Sequence, residues 1–329
     1  MSREVLEKMV MDYLSWQFPV SVFSWQGGEP TLCGLDFFRE AVRLQMKHGK
    51  KGQRVANTIQ TNGLLLNKEW CNFFRKYLFF VGISIDGPPA IHDFYRGKEA
   101  CATVMKKMRM LKEHAVEFNA LSVLTRKSEG KAREILDFFL SNQIRYLQFI
   151  PCLEKEGKDI ASYSITPEGY GNFLAELFDL WWKEKQRVSI RIFDSLLEKL
   201  LSGENHSFCP LASTCSNYVV VEYDGSVYPC DFFVKKELYL GNIMQQGIGE
   251  LYESPGKKKF NLQKRFLSPE CETCSYLEFC YGGCQKDRLD EKGAPSAKTY
   301  FCTSYRIFFS HALPRLKSYA REISRRNKK

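Results

Sequence analysis

Along the first half of the chain the apolar positions alternate between two periods. Short, nearly continuous apolar runs at VSVFSW (20–25), VANTIQTNG (55–63), FFVGISIDGP (79–88), FNALSVLT (118–125) and YLQFIPC (146–152) read as buried strands. Between them GLDFFREAVRLQMKHG (34–49), KEWCNFFRKY (68–77), ATVMKKMRMLKEH (102–114) and REILDFFLSN (133–142) repeat apolar residues at helical spacing. Strands separated by helices of this length predict a parallel sheet covered by helices. The short, regular connections suit a barrel or partial barrel better than an open doubly wound sheet. In either architecture functional groups gather at the C-terminal strand ends. Those ends, QGGEP (26–30), QTNG (60–63), SIDG (84–87), Ser122, Thr125 and Gln148, are nearly all polar or glycine on otherwise apolar strands.

The pattern changes near residue 166. TPEGYGNFLAELFDLWWKEK predicts a long amphipathic helix with Thr166 as N-cap before Pro167. A second helical stretch covers Ser195–Leu201, and YVVVEYDGSVYPC reads as two strands around the Asp224-Gly225 turn. YRIFFSHALPRLKSYAREI predicts a C-terminal helix interrupted at Pro314. The chain thus divides into an α/β region over 1–165, a helical connection over 166–205 and a cysteine-rich region with a C-terminal helix over 206–329.

Composition narrows the class. Hydrophobic residues make up 44% and charged residues 26%, as in an ordinary globular protein. No apolar run approaches the roughly 18 residues needed to span a bilayer. The opening MSREVLEKMVMDYLSW carries charges every few residues and no apolar leader core, so the expectation is a cytoplasmic protein with no membrane partner. The net charge of +10 is dispersed. Its densest clusters, Lys257–Lys259 and Arg325, Arg326, Lys328 and Lys329, read as solvated surface. No aromatic-interleaved basic stripe points to nucleic acid.

Cysteine usage changes the picture most. In a reducing compartment twelve cysteines favour metal binding or catalysis over disulfides. Cys209, Cys215 and Cys230 follow the pattern C-x5-C-x14-C. Cys271, Cys274, Cys280 and Cys284 follow C-x2-C-x5-C-x3-C, and Cys302 follows after seventeen intervening residues. Eight thiolates suit two four-ligand sites, either iron–sulfur clusters or tetrahedral zinc. Gly282-Gly283 would let the backbone pass close to a bulky cluster. Cys33, Cys71, Cys101 and Cys152 are scattered and read as small core residues.

The QGGEP, QTNG, SIDGP and QFIPC strand ends, the CDFF step at 230–233 and the C-x2-C-x5-C-x3-C run together resemble radical S-adenosylmethionine (radical SAM) enzymes with a SPASM domain, above all the anaerobic sulfatase-maturating enzymes. The likeness spans essentially the whole chain. It implies a partial (β/α)6 barrel, first strand missing, followed by a SPASM domain with two auxiliary [4Fe-4S] clusters. Cys209, Cys215, Cys230 and Cys284 would hold the first, and Cys271, Cys274, Cys280 and Cys302 the second. Gly27, Gly28, Glu29 and Pro30 would bind the amino end of S-adenosylmethionine, Ser84 would contact it, and Arg96 would reach its carboxylate. Gln26 and Gln60 would be either substrate or cofactor contacts or core hydrogen bonders. The family oxidises a cysteine or serine of a sulfatase to Cα-formylglycine. A 5′-deoxyadenosyl radical takes a Cβ hydrogen, a base removes the remaining proton and an electron leaves through the auxiliary clusters. Asp231 occupies the base position; the alternative is a solvated loop carboxylate. The implied partners are a sulfatase polypeptide and an electron donor such as flavodoxin or ferredoxin.

One element of that pattern is missing. Radical generation needs a third [4Fe-4S] cluster on a C-x3-C-x2-C loop, and no such triplet occurs in the sequence given. The expectation is that these 329 residues bind two clusters but do not generate the radical, with an open barrel edge where a first strand would pair. An internal start in the gene model, a genuine truncation or a second polypeptide would each account for it. Outside this reading stand a SPASM enzyme acting on another peptide, a noncatalytic two-cluster remnant and a zinc-stabilised binding module.

Overall fold

A computed structural model describes residues 1–185, 187–203, 208–215 and 218–326. The expected 205/206 region boundary and the basic residues Lys328 and Lys329 lie outside the described residues. Six strands, β1 (Val20–Trp25), β2 (Arg54–Thr61), β3 (Phe80–Ser84), β4 (Phe118–Leu124), β5 (Tyr146–Pro151) and β6 (Ser189–Ile190), form one sheet in that order. β1 with β2, β2 with β3, β4 with β5 and β5 with β6 pair parallel, with Val20 opposite Arg54, Thr58 opposite Phe80, Ala120 opposite Leu147 and Tyr146 opposite Ser189. The strand ends therefore point one way, as the alternation of elements predicts. β1 is an edge strand with Val20 and Val22 exposed, and the Val22 amide donates to the Tyr13 hydroxyl at 3.2 Å.

Eight helices accompany the strands: α1 (Arg3–Ser15), α2 (Gly34–His48), α3 (Lys68–Lys76), α4 (Pro89–Arg96), α5 (Ala100–Glu113), α6 (Ala132–Ser141), α7 (Pro167–Glu184) and α8 (Arg191–Ser202). Their starts are chemically marked. Ser2, Asn67 and Thr166 cap α1, α3 and α7 by accepting the amides of Val5, Trp70 and Gly169. Thr166 is the cap the sequence predicts.

The chain folds as two units. The first comprises Met1–Ser84, Thr103–Phe118 and Cys215–Leu262. One face of α1 (Leu6, Val10, Leu14) packs on Phe23, Ala41 and Leu44. Val5, on another face, joins Val227, Ile243, Ile248 and Leu251. Those residues come from a small antiparallel sheet, β7 (Val220–Val221), β8 (Ser226–Tyr228) and β9 (Gly241–Asn242), and from helix α9 (Ile248–Tyr252). The β7–β8 hairpin turns at Asp224-Gly225, as read from the sequence. Helix α10 (Pro255–Gln263) completes this unit.

The second unit comprises Ile85–Ala102, Asn119–Thr214 and Gln263–Lys329. In it α7 lies along α11, the C-terminal helix Cys302–Arg326. The Ser304 hydroxyl donates to the Pro167 carbonyl, and Asp179 pairs with His311 and Arg315. Phe178, Phe193 and Phe308 fill the space between.

Four expectations change. α11 runs through Pro314 rather than breaking there, because Ala312, Leu313 and Leu316 are buried and hold the helix against its neighbours. The strand at 79–88 ends at Ser84, and the short helix α4 follows the Gly-Pro turn. Cys33 is exposed, not a core residue, whereas Cys71 and Cys101 are buried. Lys257 is 0% exposed although its run reads as solvated surface: α10 turns Lys257 and Phe260 to one inward face and leaves Lys258 and Lys259 outside.

Candidate functional site

The loop after β1 is held by one carboxylate. Glu29 accepts the Thr31 amide (3.0 Å) and hydroxyl (2.5 Å), the Thr61 hydroxyl (2.6 Å) and the Asn62 amide (2.8 Å). Burial raises the acid's pKa, but these hydrogen bonds outweigh it and keep the acid below its usual range. Glu29 thus ties the β1 loop to the end of β2, with Pro30 buried in the turn that follows. Gly27 adopts φ +145°, a conformation open mainly to glycine, and leaves its own backbone and that of Gly28 exposed. Gln26 is exposed beside them. On the adjacent strands the Gln60 amide donates to the Ser84 hydroxyl at 3.1 Å, which joins two residues singled out separately in the sequence.

In the second unit Arg96 is engaged by an acid that the sequence reading passed over. Its guanidinium donates to Asp86 at 2.6 and 3.2 Å. Asp86 also accepts the Val123 amide (3.0 Å), and its own amide donates to His92 Nδ1 (3.1 Å). Burial works to raise the Asp86 acid, and His92, Arg96 and Val123 overcome it, holding its pKa at about 2. His92 Nε2 is buried with no hydrogen-bond partner among the described residues. A polar pair six residues apart across the Gly-Pro turn was the available signal.

The cysteines fall into local groups. In the first unit the Tyr218 hydroxyl donates to Asp231 Oδ1 at 2.6 Å and lies 3.5 Å from Cys230 Sγ, which is itself 3.3 Å from the same oxygen. Burial pushes the Cys230 thiol up to about 12 and the Tyr218 hydroxyl further still, so Tyr218 stays a donor. Lys257 Nζ donates to the Cys215 carbonyl (2.9 Å) and the Pro229 carbonyl (3.1 Å). Burial pulls the Lys257 ammonium down to about 8, with Cys215 and Cys230 pulling the other way. In the second unit Lys264 Nζ donates to the carbonyls of Cys209 (2.8 Å) and Pro210 (3.1 Å). Burial, then the nearby charges of Asp287 and Cys209, raise the Cys284 thiol. Tyr218, Lys257 and Lys264 were not anticipated as site residues.

Cys271, Cys274, Cys280 and Cys302 line one cavity in the second unit, together with Tyr305, Lys298 and Arg306. Among the described residues no three His, Cys, Asp or Glu side chains close on a single-ion position. Thiols spread around a hollow fit a polynuclear cluster better than one tetrahedral ion, whose sulfurs sit at about 2.3 Å from the metal. Between this group and Cys284, Gly282 and Gly283 adopt φ +73° and +69°. A side chain at Gly282 would meet Leu267 and Arg288 within 2.8 Å, and one at Gly283 would press on Thr299. The glycine pair thus answers to protein neighbours and a left-handed turn.

A parallel α/β sheet with glycine and polar groups at its strand ends, joined to a domain of grouped thiols, defines a radical SAM protein with an iron–sulfur domain. The radical SAM superfamily profile matches residues 1–139, and the SPASM iron–sulfur cluster-binding domain matches 209–275. A cysteine-type anaerobic sulfatase-maturating enzyme of Clostridium perfringens is 39% identical over 332 residues, covering 98% of this chain and 90% of the relative. A serine-type enzyme of Bacteroides thetaiotaomicron is 37% identical over 348 residues, covering 98% and 83%. The solved structure of native anSMEcpe with bound AdoMet and Cp18Cys peptide superposes with a TM-score of 0.91 at 39% identity, covering 98% of this chain and 92% of that one.

The chain belongs to the anaerobic sulfatase-maturating enzymes. Its two domains imply [4Fe-4S] clusters and S-adenosylmethionine as cofactors. No helix among the described residues is long and apolar enough to cross a membrane.

Proposed function

We propose that this chain converts a cysteine or serine of a sulfatase peptide to Cα-formylglycine, with Asp231 as the proton acceptor. The observation that carries the reading is the Tyr218–Asp231–Cys230 contact, which fixes a carboxylate against a cluster-ligand thiol. When bound, S-adenosylmethionine and the clusters supply hydrogen-atom abstraction from the substrate Cβ and carry away the electron. The chain's own residues position and deprotonate. Glu29 and Pro30 brace the loop that presents the Gly27 and Gly28 backbone to the cofactor's amino end. Ser84, oriented by Gln60, and Arg96, oriented by Asp86, contact the rest of it, with exposed Gln26 at the rim. Tyr218 occupies Asp231 Oδ1, so the substrate proton passes to Oδ2. Cys209, Cys215, Cys230 and Cys284 hold the first cluster, and Cys271, Cys274, Cys280 and Cys302 the second.

Among the described residues the twelve cysteines form no disulfide, which suits a reducing cytoplasm, and a flavodoxin- or ferredoxin-type donor supplies the reducing electrons. Neither a membrane nor a nucleic acid enters the reading. To test it, the chain is extended at its N-terminus by a C-x3-C-x2-C segment and incubated anaerobically with S-adenosylmethionine, a reductant and a sulfatase-derived peptide. The expected product is an aldehyde that reacts with hydrazine. Cofactor cleavage with full cluster content and an unchanged peptide would overturn the reading.

A further inference from the structure

Cys271, Cys274, Cys280 and Cys302 all belong to the second unit of the fold and line one cavity in it. Cys271 opens a tight loop whose backbone closes on itself. The Ser268 carbonyl accepts the amides of Cys271 (2.8 Å) and Glu272 (3.3 Å), and the Cys271 carbonyl accepts that of Cys274 (3.1 Å). Ser268 stands at the N-cap of the one-turn helix Pro269–Glu272, a place where a serine oxygen ordinarily accepts a backbone amide. Here the side chain makes no cap hydrogen bond. Its hydroxyl instead donates to Cys271 Sγ at 3.3 Å.

A second sulfur of the set is approached by backbone. Buried Arg288 donates to the carbonyls of Tyr281 (3.2 Å) and Gly282 (3.3 Å), on the turn after Cys280, and to those of Lys264 (2.6 Å) and Phe266 (2.8 Å). Tyr281 at φ +45° and Gly282 at φ +73° make that turn left-handed through both residues, and Arg288 braces it. Burial pushes the Cys280 thiol up to about 11, while the amides of Gly282 and Gly283 hydrogen-bond toward its sulfur and pull the other way. A thiol is a weak acceptor, and hydrogen bonds to an ionised sulfur are stronger. Donors gathered on Cys271 and Cys280 therefore count most when those sulfurs carry the charge of metal ligands. Of these donors, the Ser268 hydroxyl is the one a substitution can remove without disturbing backbone.

We propose that Ser268 is a tuning residue of the second auxiliary cluster, its hydroxyl raising that centre's reduction potential through Cys271. The proposal rests on the ligand assignment given under the proposed function. A four-thiolate [4Fe-4S] centre carries a net charge of about −2 when oxidised and about −3 after taking up one electron. That step adds one electron and neither makes nor breaks a bond. Part of the added charge falls on the ligand sulfurs, so an O–H aimed at one of them stabilises the reduced form more than the oxidised form. Ser268 thereby sets, from outside the ligand shell, how readily this centre takes up an electron.

The test is an electron-paramagnetic-resonance redox titration of the full chain, reconstituted anaerobically to about eight irons. Dithionite serves as reductant and ferricyanide as oxidant. Ser268→Ala removes the hydroxyl and keeps the carbonyl that closes the loop, and Ser268→Thr keeps both. In Ser268→Ala one of two midpoint potentials is expected to move to more negative values by at least about a threefold change in the one-electron equilibrium, about 28 mV at 59 mV per tenfold change, with the other in place. Ser268→Thr is expected to hold the native value. Unchanged potentials in the alanine variant, equal shifts at both centres, or the same shift in the threonine variant would overturn the proposal. If the alanine variant loads only about four irons, full loading of the threonine variant with native potentials supports the hydroxyl's role, and equal loss in both overturns it. A wild-type chain that binds no iron–sulfur cluster would defeat the ligand assignment itself, whereas two clusters with an unmoved potential defeat the Ser268 proposal alone.

Discussion

Cys209, Cys215 and Cys230 have buried lysines hydrogen-bonded to their own or the neighbouring backbone, whereas Cys271, Cys274, Cys280 and Cys302 surround a cavity lined by partly exposed Lys298 and exposed Arg306. The lysines differ in burial, Lys257 and Lys264 being buried and Lys298 partly exposed, although the buried Arg288 donates to the carbonyls of Tyr281 and Gly282 beside the second group. A cation held inside the protein keeps its field, while one at a solvent-facing cavity is weakened by water and salt. In the first group a carboxylate and a phenol share hydrogen bonds with Cys230, whereas in the second the Ser268 hydroxyl donates to Cys271 Sγ at 3.3 Å.

The sharpest way to break this comparison is at Asp231. Asp231→Asn is expected to lower peptide oxidation by about a hundredfold or more in the N-terminally extended chain, while iron and sulfide content stay native. Full activity in that variant would remove the first group's chemical distinction. The contrast between buried and exposed charge extends to Asp86. Its pKa falls from 3.8 to about 2 on folding, so its contribution to stability is present above about pH 4 and is lost as pH falls toward 2. Asp86→Asn should therefore cost about 2 kcal/mol in urea unfolding at neutral pH and flatten the acid limb of the stability profile. An unchanged urea midpoint would mean that the Arg96 pair adds nothing. Tyr218→Phe removes one charge-assisted hydrogen bond to Asp231 and should reduce turnover about tenfold with unchanged cluster content. The smallest effect belongs at the cavity lining: Lys298→Ala should leave thermal stability and both iron contents unaltered, and a loss of iron there would equate the lining cation with the buried ones.

The strands and most helices were legible because period-2 and period-3.6 apolar patterns report burial directly. Helix α4 was hidden behind a Gly-Pro turn that reads as an ending, although Ile91 and His92 are buried in it. Lys257 was hidden by its neighbours: three consecutive lysines average to a surface, and only the spacing to Phe260 betrays the inward face. The spacing of the eight cysteines reads as two four-ligand sites, but the side chains packed against them cannot be read from it. Tyr218 lies twelve residues before Cys230 in sequence and meets it only once the hairpin forms. Arg96 was singled out only through the family resemblance, and its acid was concealed within SIDGP, where an aspartate before glycine reads as a turn residue.

The packing of α1 has a consequence for synthesis. Val5 is covered by Val227, Ile243, Ile248 and Leu251, and Asp12 accepts the amide of Ile248, 236 residues downstream. A ribosome releases that apolar face early and the segment that covers it late. The nascent chain therefore carries an uncovered patch through most of its translation, a state prone to clumping, so chaperone supply and slow expression should govern how much of the protein is recovered.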